Sequence, residues 1–113
     1  MSIILTVDIA HPPMDREEAN NFLSYTFLKV KNSKTLRVIK IIHGYGSKGE
    51  GGILKTETLN WAYLNREKIC QFFSGEELSL NNENFQSMCI ECKISLKNFS
   101  DSINKGTSIV WVK

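Results

Sequence analysis

Apolar residues follow two different rhythms along this chain. Ser2 to Ile9 is β-branched and apolar at positions pointing to both sides. That pattern predicts a strand covered on both faces, as in the middle of a parallel sheet. His11-Pro12-Pro13 ends it, because neither proline can donate to a ladder. From Asp15 to Val30 the spacing turns helical, with Ala19, Phe22, Leu23, Thr26, Phe27 and Val30 on one stripe. Asp15 is the predicted N-cap, and Glu18 supplies the second half of a capping box. After a turn at Asn32-Ser33-Lys34, Leu36 to Ile42 is a short β-branched strand. Gly51 to Leu64 is a second helix, with Leu54, Thr58, Trp61 and Ala62 inward, and Glu67 to Phe73 is a third strand.

Beyond this point the pattern weakens. Ser74 to Glu83 is polar and turn-prone, Gln86 to Leu96 predicts a strand, and Lys97 to Gly106 a loop. Thr107 to Val112 is a closing strand that carries Trp111. The order is β-α-β-α-β-β-β, which predicts an α/β fold, a two-layer α/β sandwich, as one domain over residues 1–113. A strand–helix–strand unit of this length makes a crossover, so the first two strands run parallel.

Charge narrows the partners. A net charge of +2 makes the overall field weak, so any nucleic-acid footprint has to be local. The three cysteines are an odd count and imply no closed disulfide framework; reduced thiols in a cytoplasmic protein are expected. Cys89-Ile90-Glu91-Cys92 falls in a predicted strand and has only Cys70 as further company. No zinc or thiol-redox role is expected of it. Ile3-Ile4-Leu5 is too short for a signal peptide or membrane span, so no membrane partner is expected.

The densest chemistry lies at Ile41-Ile42-His43-Gly44-Tyr45-Gly46-Ser47-Lys48-Gly49-Glu50-Gly51-Gly52. A strand ends at a histidine, and five of the chain's seven glycines follow within nine residues before a helix begins. Glycines let a backbone approach a ligand, and a helix N-terminus offers free N–H groups to an anion. In a parallel unit both strand ends share one edge, the edge where α/β sheets bind ligands. Asp8 and His11 close the first strand there, and His43 closes the second. One carboxylate and two imidazoles beside an anion cradle suit cleavage of a phosphodiester. In that scheme His43 transfers protons, and Asp8 and His11 assist. Gly44, Gly46, Ser47, Lys48, Gly51, Gly52 and Lys55 contact phosphate, and Tyr45 stacks on a base. Asp8 admits a divalent cation (Mg or Mn), although no metal cluster is indicated by the spacing.

These residues resemble the small MutS-related (Smr) domain family. Val38-Ile39-Lys40-Ile41-Ile42-His43-Gly44-Tyr45-Gly46 matches its hydrophobic-His-Gly-x-Gly motif. Gly52-Ile53-Leu54 matches its helix start, and Asn104 to Val110 resembles its glycine-led closing strand. The family's Leu-Asp-Leu-His-Gly becomes Val7-Asp8-Ile9-Ala10-His11-Pro12, so the histidine arrives one residue late. The resemblance implies a sandwich similar to the C-terminal domain of the third bacterial translation initiation factor. It also implies DNA or RNA binding, with endonuclease activity in some members. The displaced histidine keeps a non-catalytic nucleic-acid-binding module open as an alternative. Residues 74–103 exceed the family's usual link and are expected to be an insertion, which a protein-interaction adaptor could use.

Overall fold

In the computed structural model, which describes residues 3–45 and 52–113, the strands are β1 (Ile4–Asp8), β2 (Val38–Ile42), β3 (Ile69–Ser74) and β4 (Thr107–Val112). The helices are α1 (Arg16–Asn32), α2 (Gly52–Leu64) and α3 (Glu83–Cys92), with a 3-10 turn at Leu96–Phe99. The sheet order is β1-β2-β4-β3. β1 and β2 are parallel, in a register that sets Asp8 opposite Ile42, and β4 runs antiparallel to both its neighbours. The fold is an α/β domain on a four-stranded mixed sheet.

The local signals in the first half act as expected. The Glu18 N–H donates to Asp15 Oδ1 at 2.8 Å and the Asp15 N–H to Glu18 Oε1 at 3.3 Å, closing the capping box. The helical stripe buries Ala19, Leu23, Thr26, Phe27 and Val30 against the sheet. α1 and α2 form one layer over Ile39, Ile41, Val110 and Val112. Trp61 meets Phe27 edge-on at 5.9 Å, and its indole N–H donates to Ser24 Oγ at 3.0 Å.

The structure corrects two expectations. β1 is an edge strand rather than a central one. Its residues look doubly covered because Leu5 and Val7 pack on the α1/α2 side while Ile4 packs on the other. Hydropathy reports whether a strand's faces are covered, and says nothing of whether its edge is paired. The central positions belong to β2 and β4.

The predicted strand over Gln86–Leu96 is for the most part helix, so the element order departs from β-α-β-α-β-β-β at this point. Asn82 caps α3 by accepting from the Phe85 N–H at 3.0 Å, and Phe85, Met88 and Cys89 face inward at helical spacing. Ile90, Cys92, Ile94 and Leu96 alternate in sequence and mimic a strand, yet Ile90 is 79% exposed. Cys89 and Cys92 therefore sit in the last turn of a helix. Burial pushes the thiols of Cys70, Cys89 and Cys92 above their ordinary range.

Residues 74–103 cover the second face of the sheet. Phe73, Phe85 and Phe99 stack edge-to-face at 5.5 and 5.1 Å over Val38 and Ile109. Gly75 locks the start of this segment. A Cβ there would lie 2.3 Å from the Ser102 carbonyl oxygen and 2.5 Å from that of Thr107, so only glycine fits. Among the described residues no helix is long and apolar enough to cross a membrane.

Candidate functional site

The carboxyl ends of β1 and β2 lie side by side, and the chemistry predicted for them divides into two pairs. The first is at the sheet edge. Asp8 ends β1, and its Oδ1 accepts the N–H of Ala10 at 2.8 Å and of His11 at 3.0 Å. This folds the chain back so that the His11 ring meets the same carboxylate, with Nδ1 3.0 Å from Oδ2. A carboxylate only accepts, so the ring proton sits on Nδ1 and Nε2 faces away. The His11 side chain is 71% exposed. Burial raises the Asp8 carboxyl a little, but the Ala10 N–H and the His11 ring outweigh it and hold the group below its ordinary range.

The second pair is in the sheet interior. His43 is 2% exposed. Its Nδ1–H donates to the Gly44 carbonyl at 3.2 Å, and Ser108 Oγ–H donates to Nε2 at 2.9 Å. A carbonyl cannot donate, which fixes this tautomer. Burial pushes the imidazole pKa down, the Gly44 hydrogen bond pulls it back, and the nearby Lys55 charge adds to the depression. His43 is therefore neutral at pH 7.

The two pairs do not merge. Side chains alternate along a strand. Asp8 lies between Val7 and Ile9, which pack with α1 and α2, so its carboxylate leaves on the opposite face. His43 bonds Ser108, which shares the α1/α2 face with Val110 and Val112. Asp8 thus joins His11, while His43 joins Ser108. Ser108 is not among the predicted site residues, because its partner His43 is distant along the chain. The only trace was a small hydroxyl residue at an inward position of an apolar strand.

A cavity of about 740 Å³ opens at this edge, between the first turns of α1 and α2. His11, His43, Gly44, Tyr45, Gly52 and Leu54 line it. Gly44 has φ +79°, and a Cβ on it would lie 3.2 Å from that of Ala10, so glycine is required where the two strand ends meet. The N–H groups of His43 and Gly44 both donate to the Gly106 carbonyl, at 2.9 and 3.1 Å. Gly52 opens α2 with φ +69°. Tyr45 is half exposed. Lys55, expected to contact phosphate, is ion-paired with Glu76. Gly46, Ser47, Lys48 and Gly51 of the predicted cradle lie outside the described residues.

For a metal, Asp8 has His11 beside it, and among the described residues no group of three His, Cys, Asp or Glu side chains gathers to hold an ion. Among the described residues the arrangement leaves His11 Nε2 facing away from its carboxylate partner, while the Gly44 N–H is taken by the Gly106 carbonyl. No protein-family model matches the chain, and no curated protein matches it.

Proposed function

We propose that this is a nucleic-acid-binding domain of the Smr type, with the initiation-factor-like sandwich that type implies, and that it cleaves phosphodiester bonds as an endonuclease. One observation carries the reading: the Asp8-oriented His11 ring, exposed on the wall of a cavity between Gly44 and Gly52. In this reading the phosphate sits at the mouth of the cavity, near the N-terminus of α2. His11 Nε2 takes the proton of the attacking oxygen as that oxygen bonds to phosphorus. The ester P–O bond breaks, and the departing oxygen is protonated by water. Asp8 fixes the imidazole tautomer and steadies the imidazolium that forms. Proton transfer thus passes from His43 to His11, and His43 becomes a positioning residue that holds the Gly44 turn through its two hydrogen bonds. A divalent cation would find its ligand in Asp8, at the cost of the His11 contact.

A second reading, a binding module without cleavage, is favoured by the engaged state of His43 and Lys55. One experiment separates the two. Labelled single-stranded and structured RNA and DNA are incubated with wild type, His11→Ala and His43→Ala, and both products and binding are followed across salt. Cleavage by wild type that vanishes in His11→Ala with binding retained supports the nuclease. Salt-sensitive binding with no cleavage by any form supports the module. Absence of binding at low salt sinks both.

A further inference from the structure

A second groove, of about 280 Å³, lies on the opposite side of the strand tips, toward the segment that covers the other face. It shares His11, Gly44 and Tyr45 with the larger cavity and adds Lys40, Asp101 and Asn104. Its chemistry differs from that of a phosphate site. Lys40, the cation in its lining, is already committed: its Nζ donates to Asp101 Oδ1 at 2.9 Å and to the Asn98 carbonyl at 3.2 Å, and its side chain is only 12% exposed. The Asp101 side chain is 78% exposed, and it presents a carboxylate held ionised by Lys40. With Lys40 committed to its partner the wall offers a phosphate little, whereas the exposed carboxylate accepts N–H donors.

The groove is also built in advance. Asn104 Nδ2 donates to the Asp101 carbonyl at 2.7 Å, and Asn104 Oδ1 accepts the Gly106 N–H at 2.8 Å, so the turn that carries Asp101 is cross-braced. The half-exposed Tyr45 lines the same groove. Gly106 backs that ring: a Cβ there would come within 3.3 Å of Tyr45 Cε2, so the missing side chain lets the ring lie against the backbone. A flat aromatic face beside a fixed carboxylate suits a nucleobase that stacks and offers donors along one edge. Guanine is the base with two adjacent donors on its Watson–Crick edge.

We propose that this groove is a nucleobase subsite, selective for guanine in single-stranded nucleic acid, with Tyr45 as stacking platform and Asp101 as acceptor. The proposal rests on the nucleic-acid reading of the neighbouring cavity. It adds a strand that crosses the sheet edge, phosphate on one side of His11 and base on the other. A duplex is excluded because its guanine edge is already paired.

The test uses fluorescence anisotropy at low salt with three labelled nine-residue RNAs: all uridine, and the same with a central guanosine or a central adenosine. Wild type is expected to bind the guanosine oligomer roughly tenfold more tightly, through charge-assisted hydrogen bonding to the Asp101 carboxylate, whose Oδ1 already takes Lys40 Nζ and the Ser102 hydroxyl and whose Oδ2 is left for the base. Asp101→Asn should erase that preference while leaving affinity for the all-uridine oligomer within about twofold, since base contacts specify while phosphate contacts hold. Tyr45→Ala, at a half-exposed position, should weaken the guanosine oligomer by roughly tenfold or more through lost stacking, with a urea melt of the variant to show that it folds. Equal binding of all three RNAs by wild type overturns the subsite and leaves nucleic-acid binding standing. Preference retained in Asp101→Asn, or an unchanged affinity in Tyr45→Ala, overturns it as well. No binding of any oligomer overturns this proposal together with the reading on which it rests.

Discussion

Two histidines end adjacent parallel strands, and their surroundings could hardly differ more. His11 follows an edge strand, lies in solvent and touches a carboxylate through one nitrogen. His43 follows a central strand, is buried, and has both nitrogens bonded within the protein. Motif spacing treats them as equals. Sheet position separates them: a central strand surrounds its terminal residue with neighbours, whereas an edge leaves a side chain room to meet a substrate. The histidine that looks displaced in sequence is the exposed one, and the one in full motif context is held in place by Ser108 and Gly44.

The comparison can be broken from several sides. The largest effect is expected on cleavage. His11→Ala should slow it by about 10²- to 10⁴-fold, as loss of a general base does, with stability changed by less than about 0.5 kcal/mol. Single-turnover kinetics and urea melts of the same variant check both halves. His43→Ala should show the opposite signature in the melts. It leaves a cavity and strips Ser108 of its acceptor, so a loss of about 2–3 kcal/mol is expected. If both variants destabilise equally, the contrast between edge and centre is wrong.

Gly44→Ala comes next, at about 1–2 kcal/mol, because an L side chain at φ +79° is strained and its Cβ crowds Ala10. Acid should then report on the buried ring. The folded His43 pKa lies below its unfolded value, so between the two the unfolded chain binds more protons. Stability should therefore be full above about pH 6.5 and fall as pH drops from there. Melting temperatures from about pH 7 to 5 should show that slope in wild type and a flatter one in His43→Gln. The smallest effect is expected for Asp8→Asn. Its amide oxygen still accepts the Ala10 and His11 N–H groups, so stability should move by less than about 0.5 kcal/mol.

How far the sequence reached depended on the range of the interaction. The α1 cap, the helical stripe and the closing strand were legible because each is decided within a few residues. α3 was not, because Ile90, Cys92, Ile94 and Leu96 happen to alternate, while the true inward set, Phe85, Met88 and Cys89, is short. At the site, the parallel β1–β2 edge and the Gly44 turn were foreseen. The partition of Asp8 from His43 was not, since it follows from strand alternation and from a hydroxyl contributed by β4. The Lys55–Glu76 and Lys40–Asp101 pairs were invisible for the same reason: each joins residues far apart in the chain.

β4 follows the other three described strands in sequence, yet it lies between β2 and β3. It also sends Val110 and Val112 into one apolar cluster and Ile109 into the other. Until it arrives, the two earlier strands have no common neighbour and neither cluster is closed. Assembly must therefore wait for the longest-range strand pairing in the sheet, which makes for slow, all-or-none folding. Clipping those final residues should abolish the domain rather than trim it.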